Sequence, residues 1–306
     1  MLRAAVQQML AAVRRIQLSI VAGVALAATA AFADEPPPAV VVGSGSAAAI
    51  PAWSDQLIDN GLVLPQGDLG AYGDLLIVRT SFVDKPVPPA TTGATVLNTA
   101  FDLLVGAGYG VTPELTIGGE YQLPVDDATG AFPNAGALSA YAGYTALRDD
   151  KTTLVLGGDL QLDFSNGTTA TLHLGASLRY KVAPKVAVYT GNLLAPGPYG
   201  RQLVIGLNHS APVALDLPAG VAIQASPRLL AWAETSLAHV KLANTANAVL
   251  FADYIPLQLG ALYRAAKDVD VGGFLDFSDL ENVGNAFAIG VMARYYKHAA
   301  PVAPTP

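Results

Sequence analysis

The chain has 306 residues, of which 13% are charged and 52% apolar, with no cysteine and a formal net charge of -7. So little charge is unusual for a soluble domain, where about a quarter of residues carry one. The lack of cysteine excludes a disulfide framework and a lipidated cysteine, and the acidic balance argues against a nucleic-acid partner.

Residues 1-33 read as a signal peptide. Arg3, Arg14 and Arg15 form a basic leader, Leu18 to Ala30 an apolar stretch, and Ala31-Phe32-Ala33 a small-residue cleavage site before Asp34. Its removal takes three arginines and no acid, leaving 14 basic and 24 acidic residues and a net charge of -10. Residues 34-60 begin DEPPPAVVVGSGSAAAIPA, whose proline triplet and Gly-Ser run suit a periplasmic linker. Trp53 to Asn60 has room for one helical turn that would cap or plug a barrel mouth, although a partly ordered lead-in is the preferred reading.

After residue 33 no apolar run reaches the roughly 18 residues of a spanning helix. The dominant period is two. In VGAGYGVTPELTIGGEYQLP, residues 105-124, Leu103, Val105, Ala107 and Tyr109 share one face, and Asp102, Gly106, Gly108 and Gly110 the other. Beyond a turn at Val111 to Glu114, Leu115, Ile117, Tyr121 and Leu123 oppose Thr116, Gly118, Glu120 and Gln122. This is a hairpin with one apolar side and one small or polar side.

Comparable short turns recur at Pro113, Arg148 to Lys151, Pro184, Pro227 and Ala266 to Asp268. Their spacing of roughly 35 to 43 residues fits two strands and a longer loop, the rhythm of a transmembrane barrel. The expected fold is all-β, a transmembrane antiparallel up-and-down β-barrel of about twelve strands. These are placed near 71-82, 99-110, 114-123, 135-146, 152-163, 170-181, 185-191, 212-225, 228-240, 250-264, 269-279 and 285-296. Gln202 to Ser210 is read as an outer extension of the eighth strand, kinked at Pro212; with a partner of its own it would raise the count to fourteen. The longer connections, including Asn192 to Arg201, are expected outside the cell. Tyr109, Tyr144, Tyr180, Tyr263, Tyr295 and Tyr296 precede short turns or close the last strand and suit an interfacial girdle.

Leu64-Pro65-Gln66-Gly67 resembles the lead into the first strand of many Gram-negative outer-membrane barrels. The last strand, Ala286 to Tyr296, resembles their C-terminal assembly signal, but departs from it in carrying the tail 297-306. The resemblance covers residues 60-296 by pattern and selects no family within the class. It implies insertion in the cell outer membrane, contact with its lipid and lipopolysaccharide, and handling by the outer-membrane assembly machinery during biogenesis.

With the apolar face on lipid, the lumen would receive Asp102, Glu120, Asp159, Asp163, His173, Arg179, Asp216, Glu234, Arg264, Asp270, Asp276 and Arg294, together with Gln122, Gln161, Ser177, Gln224 and Gln258. Acids outnumber bases there, and inward glycines at 106, 108, 118, 157, 175, 220, 260, 272 and 290 would leave space. A small passive channel with an acidic lumen is the preferred function, for possible small solutes of positive or no charge. The alternatives are a non-conducting structural or surface-binding barrel, and a secreted soluble barrel whose apolar face turns inward to bind an apolar ligand.

Neither an enzyme nor a cofactor or metal site is expected. In Asn208-His209-Ser210, neighbouring residues point to opposite faces, and His173 and Ser177 are about 13 Å apart along a strand. Gly106 to Gly110 lacks the following helix of a dinucleotide site, and Asp268-Val269-Asp270 and Asp276 to Asp279 lack a calcium-loop pattern. Asp126 and Asp127 are read as solvated loop residues, and Asn166-Gly167-Thr168 as a turn.

Overall fold

The structure is a computed structural model that describes residues 54, 56-83, 95-126, 136-164, 168-207, 213-242, 249-251, 256-278, 280 and 286-299. Its strands are β1 (Leu69–Val83), β2 (Thr95–Gly110), β3 (Leu115–Asp126), β4 (Ala137–Arg148), β5 (Thr152–Asp163), β6 (Thr169–Ala183), β7 (Val186–Thr190), β8 (Leu203–Gly206), β9 (Val213–Ser226), β10 (Leu229–Leu242), β11 (Val249–Phe251), β12 (Leu257–Ala266), β13 (Val269–Phe277) and β14 (Ala286–Lys297).

Alternation of side chains sets these strands. In β4, Ala137, Ser139, Tyr141, Gly143 and Thr145 are buried, whereas Leu138, Ala140, Ala142 and Tyr144 are exposed. Short turns are closed locally. The Asp149 carboxylate accepts the N–H groups of Lys151 and Thr152 at 2.8 and 2.7 Å, which hold its pKa below the ordinary aspartate value.

Neighbouring strands run antiparallel, and β1 pairs with β14 from Leu69 opposite Lys297 to Thr80 opposite Ala286. That pairing closes the sheet on itself, as a barrel in lipid requires. The fourteen segments among the described residues occupy twelve staves. β7 and β8 both lie between β6 and β9, and β11 and β12 both pair with the same side of β10. The segment Gln202-Leu203-Val204-Ile205-Gly206 is therefore neither an extension of the eighth stave nor a separate hairpin. It resumes the seventh stave, with Leu203 opposite both Leu174 and Leu215, because the chain leaves the wall after Thr190 and returns to the same strip.

Large apolar side chains cover the outside, among them Leu75, Val105, Ile117, Leu160, Leu174, Leu259, Leu275 and Ile289. Ile117 and Leu174 are 47% and 41% exposed, so they do not join a dry interior as a soluble barrel would need. An apolar belt running around a closed barrel is the surface that meets hydrocarbon.

Five tyrosines sit at one level of this exterior. Tyr109 faces Leu69, Tyr144 faces Leu115, Tyr180 faces Thr152, Tyr263 faces Leu229 and Tyr295 faces Val269, each opposite the first residue of a strand. All five are exposed. Tyr296, expected in the same girdle, is buried on the inner face, since adjacent strand residues take opposite sides. Residues 1-33, most of the linker and outer loops, Asp127, Asn166-Gly167 and Asn208-His209-Ser210 lie outside the described residues.

Candidate functional site

The break in the seventh stave sends residues 191-202 across the lumen, where an external loop was expected. Gly191, at φ +70°, turns the chain inward, and Asn192 N–H donates to Ser177 Oγ at 2.9 Å. At the far wall Arg294 Nη1 donates to the Pro196 carbonyl at 2.8 Å, and Tyr296 Oη to the Ala195 carbonyl at 3.0 Å. The chain then turns back to β4 and β5. Tyr199 is fully buried in a bay left by Gly143 and Gly157, which face each other across these strands, and meets Tyr141 edge-on at 6.1 Å.

Arg201 fastens the return. Its Nε donates to Asp159 Oδ1 at 2.9 Å and its Nη2 to the Glu120 carboxylate, while His173 Nδ1 is 2.9 Å from Asp159 Oδ2. Gln202 then substitutes for missing wall: its side-chain amide accepts from Ala176 N–H at 2.8 Å and donates to Ala176 C=O at 2.6 Å. The side chain thus supplies the pair of hydrogen bonds that a continuous seventh stave would have made.

A second obstruction fills the short-turn end. Leu57–Asp59 forms a helical turn with Leu57 and Ile58 buried against Tyr189, Leu193, Leu230, Trp232, Leu262 and Met292. Leu62 and Val63 pack with Tyr141, Val155 and Tyr199. Ile58 N–H donates to Gln224 Oε1 and Leu64 N–H to Thr116 Oγ1, both at 2.8 Å, and Asp59 pairs with Lys181 at 3.0 Å. Where the sequence favours a loose lead-in for Trp53 to Asn60, its described part is this plug, because apolar inner-wall residues at that end, Leu230 and Leu262 among them, need covering. The interior is accordingly polar only in part.

Five of the nine inward glycines expected to leave space are covered by cross-strand rings. Tyr72 lies opposite Gly106, Tyr141 opposite Gly118, Tyr189 opposite Gly220, Trp232 opposite Gly260 and Phe274 opposite Gly290, all as cross-strand partners. A Cβ added at any of these glycines would overlap the partner ring. Each glycine therefore lets a large ring lie flat on the wall.

The candidate lumen residues are distributed unevenly. Glu120, Asp159 and His173 join Arg201 in one network, with Tyr72 Oη donating to Glu120 at 2.9 Å. Arg264 is bound to Asp270 at 2.9 Å near the short turns, and its Nη1 donates to the Ser54 carbonyl. Arg179 and Arg294 are buried in the same half. Asp102 and Asp163 lie toward the long loops, Asp102 beside Gln122. Asp216 accepts from Ser236 Oγ, and Asp276 lies beside Gln258, which accepts the Trp232 indole N–H at 3.1 Å. Ser177 is occupied by Asn192, as described. Among the described residues, no three His, Asp or Glu side chains converge as metal ligands.

Sequence reasoning missed Arg201, Tyr72, Asp74 and Trp232. Asp74 had a signal, since it alternates with Leu75 and Ile77; Arg201 had only a weak one, because a proline- and glycine-rich connection reads as exterior. Beside the crossing segment a cavity of about 550 Å³ remains, lined by Asp74, Glu120, Asp216 and Glu234, by the rings of Tyr72, Tyr189, Trp232 and Phe274, and by Arg201 and Arg294.

No protein-family model and no curated protein sequence matches the chain. Among solved structures, similarity is found to an outer membrane channel from Pseudomonas putida F1, at 12% identity and a TM-score of 0.47, over 76% of this chain and 97% of that one. It is found also to KdgM porin, at 10% identity, TM-score 0.44 and 74% and 99% coverage, and to NanC porin, at 10%, 0.44, 73% and 98%.

Proposed function

We propose that the protein is an outer-membrane channel for small solutes of positive or no charge, held narrow by its own crossing segment. The outward apolar belt and the tyrosine ring support residence in a lipid bilayer. The long loops would then face lipopolysaccharide and the short turns the periplasm, with the assembly machinery inserting the chain after export.

The observation that carries the channel reading is the 550 Å³ of space left among inward carboxylates. A purely structural barrel gains nothing from a polar cavity of that size, since packed side chains would be more stabilising. The non-conducting barrel is the competing reading, favoured by the two obstructions. Planar-bilayer recording separates them. The channel reading expects small, cation-preferring steps from the wild type, with the preference reduced in Asp102→Asn, Asp163→Asn protein. No steps at any voltage, either from the wild type or from a variant with the crossing segment released, would leave the non-conducting barrel.

A further inference from the structure

One side of the cavity holds groups that neither closing the barrel nor seating the crossing segment requires. Asp216 and Glu234 line it from the inner face of β9 and β10, and Asp276, on the inner face of β13 but outside the lining, is within Coulombic reach of Glu234. The cations lining the cavity are engaged elsewhere. Arg201 is held by Glu120 and Asp159, and Arg294 by the Leu194 and Pro196 carbonyls and the Tyr72 ring, 5.4 Å from its centroid. His239 is the nearby titratable base, 3.8 Å from Asp216.

Beside these acids, Tyr189, Trp232 and Phe274 lie on glycines 220, 260 and 290, and the parts of these rings that the plug leaves uncovered line the cavity. Leu193, Leu194 and Met292 add apolar lining. The Tyr189 residue is 5% exposed, and its hydroxyl lies against the Glu234 carboxylate. A cavity of ligand size lined by carboxylates on one side and rings and aliphatic side chains on the other suits a ligand charged at one end and apolar along its length.

We propose that this cavity binds a small organic ammonium ion with an aliphatic stem. Carboxylates hold the ammonium head, the rings that line the cavity attract the same charge, and the leucines and methionine cover methylene groups. A hydrated alkali cation would use only the first of these three features. The inference rests on the channel reading for the route of access from the long-loop end, and names the solute class.

The test uses full-length protein folded in detergent, titrated calorimetrically at low salt with 1,4-diaminobutane and with 1,4-butanediol of the same length. The diamine is expected to bind saturably, with the uncharged diol at least about tenfold weaker. Glu234→Gln, Asp216→Asn protein should lose about tenfold in diamine affinity. Trp232→Leu should lose more than Trp232→Phe, which keeps a ring. Equal affinity for diol and diamine, no diamine binding, or unchanged affinity in the carboxamide variant would overturn the proposal. The wild-type comparison of the two ligands needs no variant to fold. Diamine binding without conductance removes the channel reading alone; conductance without diamine binding removes this inference alone.

Discussion

The Arg201 guanidinium lies 2.9 Å from the Asp159 carboxylate and joins a segment that has left the barrel wall to a strand two staves away. Asp159 is buried on the wall, and Arg201 is the charge that compensates both it and Glu120. Removing the guanidinium leaves Glu120 with Tyr72 and Asp159 with His173, but takes away the arginine charge that both share. For Arg201→Met a loss of about 3 kcal/mol is expected, at the lower end for a buried pair because the arginine is about one-third exposed. The denaturant midpoint should fall, and bilayer recordings should show larger or more frequent openings. Arg201→Lys keeps the charge but not the fork, and should fall between the two.

Tyr199 and the glycines beneath it form a second lock. Gly143→Val fills the bay and should cost about 1 to 3 kcal/mol by overpacking while expelling the ring. In a Tyr199→Ala background the same valine has no ring to displace, so the two changes should couple by at least about 1 kcal/mol. Additive effects on the unfolding free energy would mean that ring and bay are not in contact.

These two locks mark the limit of what the sequence discloses. Most of the wall was legible because Leu275 and Ile289, or Leu138 and Tyr144, alternate with small and polar residues at a period that only a strand supplies. The destination of residues 191-202 was not, because proline and glycine mark a departure from the wall without telling inward from outward. A weak signal existed: Arg201 is the one charged residue in Gly191 to Gln202, which is sparse for a solvated loop. The inward glycines were misread as space because seeing Gly106 under Tyr72, or Gly260 under Trp232, requires the cross-strand register, which is a long-range property.

The exterior makes a separate prediction. Leu275 is exposed on β13, six residues beyond Val269 at the level of the tyrosine ring, between partners Leu259 and Ile289 that are exposed too. Leu275→Arg should destabilise the barrel in lipid vesicles by about 2 to 4 kcal/mol, as expected for a charge on the lipid face near the bilayer centre. A surface change on a soluble protein would stay within about 0.5 kcal/mol. Folding titrations in vesicles give the answer directly.

Ile58 tests the plug. It is fully buried against the apolar inner wall, and its N–H is bonded to Gln224. Ile58→Asp places an unpaired carboxylate there, at a cost of at least about 2 kcal/mol. Because the strand pairings do not involve residue 58, the barrel should keep its heat-modifiable gel migration. The lead-in should become open to protease, and conductance should rise.

The most direct measurement exploits the absence of native cysteine. A Cβ placed on Gly157 would lie 2.6 Å from Tyr199 Cβ, so a shift of about 1 Å gives the spacing of a disulfide. Full-length protein carrying Gly157→Cys and Tyr199→Cys, folded in detergent without reductant, should yield the cross-linked peptide by mass spectrometry in most folded molecules. Two free thiols, both open to a water-soluble alkylating reagent, would place residues 191-202 outside the lumen and contradict the account.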